Sequence, residues 1–383
     1  MRTRTVTAVV AAATASVVGV SSAAPQARAA VVTPGSATNW DATGIDKFYG
    51  LDWNTMPGPT VAGPGVYGPT AVATFHLLQD YIQVAAIDQA LKTNPVPNGV
   101  VSSGRGAGNA SALISQYAMN GDPTLQNTNW LLDNNIDRPN GGYASRYPAW
   151  SIVNVNPLPT PTDTGAPIID VGYEYAWNSD VPAYALNLVA LLNSITEYAY
   201  RYRKQDVTTL PAPLLSPDGK TVNFDAPPGH YIVETDSTYT FEPLSPGNTT
   251  IYVTYKSKDL AMLRPLRDVG GAVGNLVADA VEPVLTVIVN AGYPDNNPVS
   301  PPEVYTPFSL LPPPKVVGTA LHQIPGAVQQ GVENVKRDLG IGGDRSTRPS
   351  SAAKAATAST AGRVRAESQA AKGSSGTGHT RRD

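Results

Sequence analysis

Three glycines at alternate positions, Gly104-Arg105-Gly106-Ala107-Gly108, follow a short apolar run ending in Ser102-Ser103 and precede a stretch of helical character from Asn109 to Tyr117. A strand, a sharp turn and a helix form the setting of a nucleophile elbow, where Gly-x-Ser-x-Gly holds a serine at strained dihedrals between small neighbours. In the register Gly104-x-Gly106-x-Gly108 the central place is Gly106. In the register Ser102-x-Gly104-x-Gly106 it is Gly104. Either way the turn is kept and the oxygen nucleophile is missing. Ser102 and Ser103 end the strand and are expected to face the core or the sheet, so neither is read as a displaced nucleophile.

Other chemistries fit less well. The glycine cluster differs from a dinucleotide-binding turn, because position 109, where the third glycine belongs, is Asn. No Lys follows Gly108, which excludes a P-loop. The histidines, His76, His230, His322 and His379, are far apart in sequence, and the chain contains no cysteine, so a zinc site has no support. No cofactor is expected.

Two further polar residues are singled out by their surroundings. Asp180 stands before Val181-Pro182, where an aspartate suits a helix N-cap. His230 follows Pro227-Pro228-Gly229 and is expected on an exposed turn. The run Arg138-Pro139-Asn140-Gly141-Gly142 reads as a structural turn in which Asn-Gly supports positive φ and Arg ties down carbonyls. Its functional alternative places Arg138 and Asn140 at a cleft mouth.

The elements that must hold these residues are legible in the periodicity. Helical spacing appears over Leu77–Lys92, Asn109–Tyr117 and Tyr184–Tyr202, and two further helices are expected from about Asp259 and Val273. Short apolar runs at Gly99–Ser103, Thr128–Leu132 and Pro167–Tyr175 predict buried strands. The stretches Tyr231–Phe241 and Thr249–Tyr255 look like twisted antiparallel strands. This alternation predicts an α/β fold with a central, mostly parallel sheet and helices on both faces.

Composition sets the limits. The chain has 383 residues, 34 Gly and 35 Pro, 15% charged residues and a net charge of −3. Residues 1–343 hold 19 Lys/Arg against 27 acids, and residues 344–383 hold eight against three. A nucleic-acid-binding body is therefore unexpected. Arg2 and Arg4, the apolar run Val6–Val20 and Ala27-Arg28-Ala29 predict an export signal over 1–29, with no transmembrane span left after its removal. Residues 30–70 read as a Gly/Pro-rich extended segment with little regular structure, 71–295 as the α/β domain, 296–341 as a Pro-rich linker or edge wrap with an amphipathic helix, and 342–383 as a disordered basic tail.

The segments Val100–Ala110, Asp137–Gly142, Asn248–Val253, Lys258–Arg267 and Val287-x4-Gly292-Tyr293 resemble the PE-PPE C-terminal domain of mycolate-bearing actinobacteria. The resemblance covers roughly residues 95–295. It implies an α/β-hydrolase-like fold and, in relatives with an intact elbow, a Ser/Asp/His esterase acting on acyl esters. Carried over, the nucleophile falls on Gly106, the acid on Asp180, and the histidine on a stretch, Tyr198–Lys204, that has none, leaving His230 only if the chain loops back. The segment before residue 70 has no clear oxyanion donor. The expectation is thus a catalytically degenerate, exported esterase-like module that holds an acyl or lipid ligand or a cell-envelope component. An active esterase or acyltransferase with a rearranged site is the alternative.

Overall fold

The computed structural model describes residues 31–32, 48–51, 60–61, 79–93, 98–153, 155–201, 208–235 and 238–341. The leader expected over 1–29, the tail expected over 342–383 and His76 lie outside the described residues. In chain order the elements are β1 (Val31–Val32), β2 (Thr60–Val61), α1 (Gln79–Thr93), β3 (Asn98–Ser103), α2 (Arg105–Asn120), β4 (Thr128–Asp133), α3 (Tyr143–Arg146), β5 (Ile168–Tyr173), α4 (Leu188–Arg201), β6 (Gly229–Thr235), β7 (Thr238–Glu242), β8 (Ile251–Tyr255), α5 (Arg264–Asn290) and α6 (Pro314–Asp338). The strands form one sheet in the order β2-β1-β3-β4-β5-β8-β6-β7. Its neighbours are parallel except for the hairpin β6–β7.

This is the α/β-hydrolase-like arrangement, and its strands read as apolar runs because both sheet faces are covered. Val100, Trp130, Leu132 and Ile168 pack against Ile87 and Leu91 of α1 and Ala110, Leu113 and Ile114 of α2. On the opposite face Val101, Leu131, Ile169, Val171 and Val253 meet Phe48, Tyr49, Leu51, Leu210 and Leu214. There the cover comes from irregular segments and 3₁₀ turns at Phe48–Gly50 and Ala212–Leu214.

The segment 30–70 contributes the two-residue strands β1 and β2, which extend the sheet beside β3. One expectation changes: β8 is not antiparallel to its neighbours but inserts parallel between β5 and β6. All five residues of β8 are buried, as suits a central strand, whereas β7, Thr-Tyr-Thr-Phe-Glu, is largely exposed and takes the edge.

The proline-rich stretch after residue 296 lies along the body as a strap. Asn140 N–H donates to Pro302 O (2.9 Å), Phe308 N–H to Arg146 O (3.2 Å) and Ser309 N–H to Ala183 O (2.8 Å), while Ser309 O accepts from Ala185 N–H (2.8 Å). It leads into α6, which runs through Pro325 and packs on α5. Helix α5 itself bends at Gly271 (φ 54°, ψ −137°), so the two helices expected from Asp259 and Val273 are continuous but kinked.

Candidate active site

At the end of β3 the chain turns sharply into α2, and the residue that makes the turn is Gly104, with φ 55° and ψ −120°. That conformation is open almost only to glycine, because a β-carbon there crowds the adjacent carbonyl. Two backbone bonds fix the corner: Gly104 N–H donates to Asp133 O (2.9 Å), and Gly104 O accepts from Gly108 N–H (3.1 Å). The assignment of Gly106 to the nucleophile position is therefore corrected. Gly106 and Ala107 are buried in the first turn of α2, and Arg105 opens that helix. The strained, serine-type position belongs to the Ser102-x-Gly104-x-Gly106 register. Gly108 has a packing role, since a β-carbon there would stand 2.6 Å from Ile136 Cγ1.

The nearby serines are engaged elsewhere or enclosed. Ser102 Oγ donates to Leu131 O (3.0 Å), and both Ser102 and Ser103 are buried. A β-carbon built on Gly104 would lie 3.2 Å from Asn178 Nδ2, so Asn178 faces the corner. Behind it Ser179 Oγ donates to Asn134 Oδ1 (2.8 Å) and accepts from Tyr173 N–H (3.2 Å). Asp133, one register step from the corner, accepts from the hydroxyls of Tyr49 and Tyr173. Burial first, and the Asp133 charge second, push both tyrosine hydroxyls well above their usual range. They are hydrogen-bond donors, not nucleophiles.

None of these neighbours was singled out from the sequence. The run Asp133-Asn134-Asn135 closing a strand was the available signal, since Asn tolerates the left-handed conformation that Asn134 adopts at φ 50°.

Asp180 is buried and caps no helix, because α4 begins only at Leu188. Its Oδ2 accepts from Tyr175 N–H (2.7 Å), which locks the turn that Tyr175 makes at φ 66°. Burial pushes its carboxyl well above the usual carboxylate range, against the hydrogen bond from Tyr175 and the charge of Arg146. Such a group orients a turn.

His230 is also buried, on β6, and not on an exposed turn. Its Nε2 lies 2.7 Å from Thr254 Oγ1, and Thr254 Oγ1 also accepts from Arg138 Nη2 at 2.7 Å. Burial, then the Arg138 charge, hold the imidazole well below its ordinary pKa, so it is neutral at pH 7. It cannot serve the elbow. Between β3 and β6 stand β4, β5 and β8, four ladder spacings or roughly 19 Å.

Arg138 extends beneath the sheet. Its Nη1 donates to Val253 O (3.2 Å) and lies 3.3 Å from Asp170 Oδ1, and its guanidinium stands 5.3 Å from the Tyr252 ring centroid. Burial raises Asp170 to about 6 despite this partner. Gly172 leaves the space that Arg138 occupies. Asn140 donates to Pro301 O (2.9 Å) and accepts from Arg146 Nη2. With Asp180, Ser179 and Thr254, Arg138 and Asn140 line a small space of about 10 Å³, room for one water at most. Among the described residues no group of His, Asp or Glu could hold a metal ion.

Comparison with known proteins accords with this geometry. The model of the PE-PPE domain family matches residues 82–294. An uncharacterized PPE family protein, PPE28, of Mycobacterium tuberculosis (strain ATCC 25618 / H37Rv) is 32% identical over 260 residues, covering 63% of this chain and 35% of the relative. PPE42 of Mycobacterium tuberculosis (strain CDC 1551 / Oshkosh), likewise an uncharacterized PPE family protein, is 29% identical over 222 residues, 57% of this chain and 33% of its own. A protein named Esterase PE16, from Mycobacterium tuberculosis (strain ATCC 25618 / H37Rv), is 24% identical over 201 residues, 50% and 31% of the two chains. The chain thus spans about a third of the length of these relatives. No solved structure matches it.

Proposed function

Since the chain belongs to the PE-PPE domain family, we propose that it is an exported, esterase-like module that has lost serine-dependent hydrolysis and retains acyl-ligand or cell-envelope binding. The observation that carries this reading is Gly104, which occupies the strained corner without a hydroxyl. Loss of a nucleophile alone costs on the order of 10⁶ in turnover where the triad acts as a unit, leaving only what binding and the oxyanion donors supply. The distance of His230 from the corner adds a second missing part. Export rests on the positively charged, apolar and small-residue regions of the first 29 residues.

Fluorophosphonate labelling with hydrolysis of p-nitrophenyl acyl esters tests the reading. The expected result is no covalent adduct and hydrolysis at the level of buffer. A stoichiometric adduct on any serine, with turnover abolished by changing that serine to Ala, overturns it. The similarity to Esterase PE16 favours that second outcome, an active esterase with a rearranged site.

A further inference from the structure

Helices α5 and α6 present far more apolar surface than a hairpin on a globular body requires. Along α5, Val269 is 90% and Val273 71% exposed; on α6, Leu321 is 63%, Val328 50% and Val332 48% exposed. Only 17% of the most apolar stretch of Ala261–Asn290 is buried, and that helix is long and apolar enough to cross a membrane by length and composition. Between the two helices runs an open groove of about 630 Å³, lined by Val281, Val284, Leu285, Val328, Val332 and Val335, with Lys336 at its rim. Exposed apolar patches of this extent mark an interaction surface.

Two observations identify the occupant. Two of the three acidic residues of α5 are tied into the protein: Arg267 pairs with Asp279 (2.6 Å) and Glu282 (2.7 Å), and Glu282 accepts from Leu260 N–H (2.7 Å); the third, Asp268, is exposed and accepts from the Tyr200 hydroxyl (3.1 Å). Helix α5 also packs on α6 through a small-residue seam in which Gly331 meets the Ala280 carbonyl, and through Ala278 and Val289 it joins the core cluster with Ala190 of α4. The helix is therefore fixed on the body, lying on a surface and not spanning one. The sequence beyond the hairpin is cationic: residues 344–383 carry eight Lys/Arg against three acids, whereas Lys336 and Arg337 at the end of α6 pair with Glu333 (2.9 Å) and Asp338 (3.8 Å). An apolar face followed in sequence by a basic segment is the pairing that holds proteins on anionic bilayers, the apolar side chains entering the acyl boundary and the basic ones drawn to headgroups.

We propose that the α5–α6 face seats this protein on an anionic phospholipid surface. This surface is separate from the elbow, so the proposal holds whether or not the elbow is active. The cysteine-free chain allows an unambiguous test. Full-length Val332→Cys, labelled with an environment-sensitive fluorophore, is titrated with vesicles of phosphatidylcholine alone or with about one-third phosphatidylglycerol, a fraction that places the surface potential in the range where polybasic segments bind. A labelled Lys220→Cys on a remote exposed turn is the control.

The expected result is a blue shift at position 332 and none at 220, with apparent affinity at least tenfold higher for the anionic vesicles. Raising NaCl to 0.5 M removes most of that preference. The double variant Val328→Glu/Val332→Glu, folded by circular dichroism, sediments with anionic vesicles at least tenfold more weakly. Adsorption through the leader would leave the probe at 332 unshifted, and that result overturns the proposal. So does a concentration-dependent dimer, seen by sedimentation velocity, that shifts the probe at position 332 without vesicles, since a second copy would then cover the face.

Discussion

A side chain at position 104 would be held at φ 55° and ψ −120°, where only glycine rests without strain. Restoring a hydroxyl with Gly104→Ser is therefore expected to destabilise the protein by about 1–3 kcal/mol, and to add little turnover because His230, the histidine considered for the triad, lies four strands away. Gly106→Ser places the hydroxyl inside α2 and is expected to give no activity at all. Urea denaturation and ester hydrolysis of the two variants check both statements. Turnover restored by Gly104→Ser would reveal a base outside the described residues.

Also at this scale, Arg138 answers four groups under the sheet: Asp170, Val253 O, Thr254 Oγ1 and the Tyr252 ring. Arg138→Met strands a buried carboxyl and is expected to cost about 3–5 kcal/mol in urea unfolding. Two buried carboxyls then set a pH dependence. Burial pushes Asp170 to about 6 and Glu174 to about 7, although Glu174 accepts from Ser257 N–H (2.7 Å). In the fold both keep a proton that the unfolded chain has already released, so stability is greatest below about pH 4 for this contribution and is lost as pH rises through 6 and 7. Between pH 5 and 8 the loss from Glu174 is of the order of 3 kcal/mol. Glu174→Gln should flatten the upper part of that slope in denaturation series at fixed pH.

Among the elements, the α5–α6 hairpin depends on close backbone approach. A β-carbon at Gly331 would run into Ala280 O, so Gly331→Val must push the helices apart. The expected cost is about 1–3 kcal/mol, the range for overpacking, with earlier proteolytic cleavage after residue 310 as the structural readout. Strand β8 matters in another way. By entering between β5 and β6 it carries His230 away from the elbow, and the histidine's place in the fold becomes that of a neutral hydrogen-bonding partner for Thr254. The proline-rich strap is held on the body because its carbonyls and remaining N–H groups meet the Arg138–Arg146 segment and Ala183–Leu186.

For the whole molecule, the export reading has a position attached. Cleavage is expected after Ala29, leaving the mature chain to begin immediately before β1, whose Val31 pairs with Gly99 and Thr60. N-terminal sequencing of protein recovered outside the cell should start within a few residues of Ala30; intact Met1 confined to the cytosol would refute export. The strands and the long helices between α1 and α6 were legible in type, the short α3 (Tyr143–Arg146) excepted, because burial on two sheet faces demands apolar runs and packing on one helix face demands a 3.6-residue period. That neither register of the glycine run has a serine at its centre was legible too. Three further points needed the tertiary structure. A glycine at every second position leaves the corner undetermined, and only the backbone path past Asp133 selects Gly104. Strand order is a long-range property that local periodicity does not encode, so the insertion of β8 and the separation of His230 from the elbow could not be read from the chain. And polarity does not tell which polar residue is enclosed: Arg138 and His230 are buried with hydrogen-bond partners, Val253 and Thr254, that are distant in sequence, a condition settled only when the whole sheet has assembled.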